Sequence, residues 1–89
     1  MQDEKGIYYH PTPGNADERV YVRHGQAGEV EFRLWRKDNA EIWERHGWLS
    51  LDTIKAAATM YRAERNANAD MLRLYDLSVA RSLLAEAGK

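Results

Sequence analysis

Residues 30–48, VEFRLWRKDNAEIWERHGW, hold all three tryptophans and the only phenylalanine of an 89-residue chain, and within them the hydrophobic period changes. Val30, Phe32 and Leu34 alternate with Glu29, Glu31 and Arg33. A period of two is what a strand with one buried face requires. The alternation stops at Arg36 and Lys37, and Asp38 stands three residues before Glu41, the spacing of a capping box with Asp in place of Ser or Thr. This predicts a short helix from about Asn39 to His46 with Ile42 and Trp43 turned inward. Gly47 is its terminator, because glycine accepts a left-handed backbone after a helix end. The competing reading is a second strand from Glu41 to Leu49, supported by weaker alternation.

Upstream, Arg19 to His24 forms a second alternating strand, and Gly25-Gln26-Ala27-Gly28 supplies the turn between them. Placing Val22 opposite Phe32 turns Val20, Val22, Val30, Phe32 and Leu34 to one side, and a slip of one residue would expose one of the two sets. The same register sets Arg23 opposite Glu31 and Arg19 beside Trp35 on the other face, pairings of mutually attractive groups. Residues 1–18 contain two prolines, two glycines and four acids and read as a flexible or extended tail. Ile7, Tyr8 and Tyr9 form an apolar knot within it that suits a sheet edge. Residues 19–89 then make a single small domain.

Downstream, Ser50 is placed to cap a helix from Leu51 to about Arg65, with Leu51, Ile54, Ala58 and Tyr61 on one side and Asp52, Lys55, Thr59 and Arg62 on the other. Asn66 to Ala69 reads as a loop with Asp70 as the next cap, one long helix being the alternative. Met71 to Ala87 favours helix but is apolar too far around. Leu72, Tyr75, Val79 and Leu83 make a stripe for the core, while Leu74, Leu77, Ala80 and Leu84 form a second ridge. Either that ridge meets a partner or the helix breaks near Asp76. The fold class is α+β, an antiparallel hairpin or three-stranded sheet packed by two or three helices.

Composition narrows function mainly by exclusion. With 44% hydrophobic and 30% charged residues the chain is that of a globular protein rather than a disordered one. No apolar run approaches the roughly 20 residues of a membrane span. MQDEKGIYYH is not a secretory leader, so a cytoplasmic location is the default expectation. The absence of cysteine removes disulfides, thiolate zinc, iron–sulfur clusters and cysteine nucleophiles.

The histidines His10, His24 and His46 match no metal spacing. Glu41 near His46 is explained by its pairing with Arg45 one turn on. Ser50, Ser78 and Ser82 lack a nucleophile elbow, and Gly25-x-x-Gly28 precedes no helix that could offer its N-terminus to phosphate. No catalytic, cofactor-binding or metal-ligating residue is therefore nominated, and an enzyme ranks third among the function classes.

Two binding classes rank above it. The first is a protein-interaction module, self-associating as a homodimer through Leu74, Leu77, Ala80 and Leu84, since apolar surface beyond the needs of a core marks an interface. The second is single-stranded nucleic-acid binding through Arg19, Tyr21, Arg23, Arg33, Trp35, Arg36 and Lys37. Residues 19–37 carry five basic against two acidic side chains, a local net of +3, within a chain whose overall charge is −1. Aromatic rings and cations on a sheet face can stack bases and hold phosphates. A bilayer is not among the expected partners.

Overall fold

The alternating segments pair as their parity requires. In the computed structural model, which describes residues 1–65 and 74–87 (the side chains of 58 and 60–65 excepted), β3 (Glu18–His24) and β4 (Val30–Arg36) run antiparallel with Val22 opposite Phe32, Arg23 opposite Glu31 and Arg19 opposite Trp35. The turn closes with Gly25 N donating to Glu29 O at 2.7 Å and Gly28 N to Gly25 O at 3.0 Å. Gly28 lies at φ +85°, a backbone region in which a Cβ is strained.

The sheet is larger than a hairpin or three strands. It has five, all antiparallel, in chain order: β1 (Gln2–Asp3), β2 (Gly6–Tyr9), β3, β4 and β5 (Leu49–Ser50). The two extra edge strands contain two residues each, too few to show a period. Residues 1–18, read as a tail, contribute β1 and β2, with Ile7, Tyr8 and Tyr9 opposite Val22, Tyr21 and Val20. The loop from His10 to Asp17 is fastened to the sheet by its polar groups. His10 Nδ1 bonds Glu18 O at 2.9 Å, and Thr12 Oγ1 donates to Glu18 Oε1 at 2.9 Å. The Glu18 carboxylate, 4% exposed, is neutralised by Arg36 directly across the ladder at 2.6 Å.

Helix α1 (Glu41–His46) follows β4 and ends at Gly47, φ +44°. Asp38 does not cap it. The N-cap is Ala40 with no side-chain bond, and the helix is entered through tight turns in which Ile42 N reaches Asn39 O and Trp43 N reaches Ala40 O. Ser50 does cap α2 (Leu51–Arg65), its Oγ accepting from Thr53 N at 3.3 Å. Ile54 is buried and Leu51 half-buried.

The expected loop 66–69, its cap Asp70, and Met71 and Leu72 lie outside the described residues. The C-terminal helix α3 spans Leu77–Ala87, with Asp76 Oδ1 accepting from Val79 N at 3.1 Å as its cap. A helix starting at residue 77 has one inward face where a helix starting at 71 would have two. Leu74 and Ala80 are buried, Leu77, Leu83 and Leu84 pack against the core, and Val79, assigned above to the core stripe, is exposed.

The core therefore sits on one side of the sheet. Val20, Val22 and Phe32 meet Ile54 of α2 and Leu74 and Ala80 around α3, with Tyr75 edge-on to Phe32 at 5.6 Å. Tyr9 fastens the entry to α3: its hydroxyl donates to Leu74 O at 2.6 Å and accepts from Asp76 N at 2.8 Å. Burial, opposed by the Asp76 bond, pushes this phenol up to about 12.

Candidate interaction surface on the outer sheet face

On the side of the sheet away from the core, strand alternation delivers Tyr8 from β2, Arg19, Tyr21 and Arg23 from β3, and Glu31, Arg33 and Trp35 from β4. A solvated face would leave these side chains open. Instead they are packed into a lattice of rings and guanidinium groups. Tyr21 is completely buried at its centre, with the ring of Tyr8 at 5.2 Å and that of Trp43 edge-on at 5.1 Å. Its hydroxyl donates to Asp3 Oδ2 at 2.5 Å and receives Arg19 Nη1 at 3.2 Å. Burial first, and then the bond to Asp3, push its phenol up to about 12.

Each arginine of this face lies over an aromatic ring. The Arg19 guanidinium is between Tyr8 at 4.7 Å and Trp35 at 4.8 Å, and its Nη1 reaches Asp3 Oδ2 at 2.9 Å. Its Nε is shielded from solvent and meets no acceptor among the described residues. Arg23 lies 4.4 Å from the Trp48 ring and pairs with Glu31 at 2.8 Å. Arg33 stacks on Trp43 at 3.9 Å and donates through Nε and Nη2 to Trp43 O, which anchors α1 against β4. Trp43 and Trp48 meet edge-on at 6.0 Å. Burial would raise the Asp3 carboxyl. The bonds from Tyr21 and Lys5 N and the charge of Arg19 outweigh it and hold Asp3 below its ordinary 3.8.

Of the seven residues nominated for nucleic-acid contact, Arg19, Tyr21, Arg23, Arg33 and Trp35 share this face, but Tyr21 has no exposed ring to offer. Arg36 has the opposite parity and is committed to Glu18, while Lys37 is exposed beyond the end of β4. Three arginines against Asp3 and Glu31 leave the face only slightly basic. The four residues nominated for self-association lie elsewhere, on the core side, with Leu74 and Ala80 buried and Leu77 and Leu84 half-buried.

Tyr8, Asp3, Trp43 and Trp48 belong to the outer face and were not nominated. The parity of Tyr8 against Tyr21 was available once Ile7 was allowed to pair in a strand. Trp43 and Trp48 reach the face from outside the ladder, and no strand period could announce them.

His10 and His24 bond backbone carbonyls of Glu18 and Gly28, and His46 occupies the last turn of α1. Among the described residues no group of three or more His, Cys, Asp or Glu is gathered for a metal ion, and no helix is long and apolar enough to cross a membrane. Comparison with family models, with curated proteins and with solved structures finds no match to this chain.

Proposed function

We propose that the chain is a non-enzymatic protein-interaction module that docks through the outer sheet face. One observation carries the reading: all three tryptophans keep part of their surface open and lie in one ring-and-guanidinium lattice away from the aliphatic core. A small domain ordinarily depends on its largest side chains for stability. Here the core cluster beneath the helices uses valine, isoleucine, leucine, alanine and a single phenylalanine, and on the outer face only Tyr21 is fully buried. Trp, Tyr and Arg are the side chains that dominate binding energy at protein interfaces, and here they are packed against one another, an arrangement that lowers the entropic cost of docking.

Self-association through Leu74, Leu77, Ala80 and Leu84 has less support, because docking there would compete with the domain's own core. Nucleic acid is also less well supported, since every outer-face arginine already covers a ring and two carboxylates offset their charge.

The test is site-specific photocrosslinking in the producing cell, with a photoreactive residue at position 35 and, as a control, at exposed Glu86 on α3. A discrete protein adduct from position 35 that is absent from position 86 is expected. An adduct of twice the chain mass identifies a second copy as the partner. Nuclease-sensitive adducts would favour nucleic acid, and equal labelling from both positions would overturn the reading.

A further inference from the structure

Docking on the outer sheet face takes the guanidinium groups of Arg19, Arg23 and Arg33 out of water, and two of these already have a counter-ion. Arg19 pairs with Asp3 at 2.9 Å and Arg23 with Glu31 at 2.8 Å. Arg33 differs from both: among the described residues it pairs with no carboxylate. Its guanidinium lies 3.9 Å from the centre of the Trp43 ring, and Nε and Nη2 both donate to Trp43 O, an acceptor without charge. Among the described residues Nη1 has no acceptor, and unlike Arg19 Nε it is not sealed from solvent. Its two hydrogens remain for a further partner.

We infer that the partner of this face is a peptide segment that presents an Asp or Glu carboxylate to Arg33, beside a large apolar side chain that covers the Trp35 indole. The inference rests on the docking reading above and names the chemistry of the partner. A neutral partner leaves Arg33 as an uncompensated charge in the interface, whereas a carboxylate turns the same burial into a charge-assisted hydrogen bond. One surplus charge with one free nitrogen suits one carboxylate. The repeating phosphates of a nucleic acid need a row of free cations, and Arg19 and Arg23 are already neutralised. Arg33 and Trp35 are alternate residues on one face of β4, about 7 Å apart, which sets the distance between the acid and its apolar neighbour.

The test is selection of a displayed random dodecapeptide library against the immobilised chain, with synthetic copies of the enriched peptides measured by titration calorimetry. The enriched peptides are expected to carry Asp or Glu near a large apolar residue. Replacing that acid by its amide in the peptide is expected to weaken binding to the wild-type protein about tenfold. Arg33→Gln is expected to weaken the parent peptide by a similar factor and to have little further effect on the amide peptide, so that the two changes are coupled. The change in the peptide leaves the protein untouched, so a folding defect in Arg33→Gln cannot imitate the first result. Peptides that lose binding on Trp35→Ala but carry no acid, or bind equally well as the amide, would overturn the inference and leave the docking reading standing. No enriched peptide, or binding indifferent to Trp35→Ala, would overturn the docking reading and the inference with it.

Discussion

The two faces of the sheet use opposite chemistry over the same strands. On the core side Val20, Val22 and Phe32 are closed over by α2 and α3, and their contribution is area removed from water. On the outer side Tyr8, Trp35, Trp43 and Trp48 are held against Arg19, Arg23 and Arg33, and much apolar surface stays partly wet. The difference shows that the tryptophans of a small domain need not lie in its aliphatic core: around the buried Tyr21 they stay partly open. Ring and guanidinium stacking orders a surface while leaving it available to a partner, whereas aliphatic packing stabilises only when it is closed.

If the core side carries the stability, Phe32→Ala is the most damaging of the single changes considered. It empties a site with no exposure and is expected to cost about 3 to 5 kcal/mol, a large part of the total for a domain of this size. Urea unfolding measures it, and a loss below about 1 kcal/mol would remove the distinction between the faces. Next comes Tyr9→Phe, which keeps the ring but leaves Leu74 O and Asp76 N without their shared partner. The expected cost is about 1 to 2 kcal/mol. It should appear as faster amide exchange in α3 than in β3 and β4, and uniform acceleration would show that Tyr9 does not anchor that helix in particular.

The outer face supplies a smaller effect with a pH signature. Asp3 is held below its ordinary 3.8 in the folded state, so its stabilisation is present above that value and is lost as the pH falls through the lower folded one. Both Asp3 and Arg19 are about a quarter to a third exposed, which limits the effect to about 1 kcal/mol or less. Urea midpoints between pH 5 and pH 2 are expected to fall more steeply for the wild type than for Asp3→Asn. Parallel curves would detach Asp3 from the Tyr21 cluster.

How much of this was legible in the sequence follows the reach of periodicity. The register of Val22 against Phe32, the extent of α2 and the short helix before Gly47 were legible because repeated side-chain spacing and strong local breakers mark them. Strands β1 and β5 were not, since two residues cannot display a period. The start of α3 was ambiguous for a different reason: Asp76 is both an ordinary surface acid and the cap that resolves two apolar stripes into one. The site divided along the same line. Arg19, Arg23, Arg33 and Trp35 follow from the ladder, but the burial of Tyr21 depends on Tyr8, Asp3 and Trp43, whose positions are set by the tertiary fold.

The two faces differ in how much they contribute to stability, the aliphatic core side more and the outer aromatic face, with its partly open tryptophans, less. The most direct test is the unfolding free energy of Trp35→Ala beside that of Phe32→Ala. Trp35 keeps part of its surface open, and one guanidinium, that of Arg19, lies over its ring at 4.8 Å. The expected result is a loss for Trp35→Ala clearly smaller than that for Phe32→Ala, because part of the indole is already in contact with water. A Trp35→Ala loss as large as that of Phe32→Ala would make the outer face a second core and contradict the account.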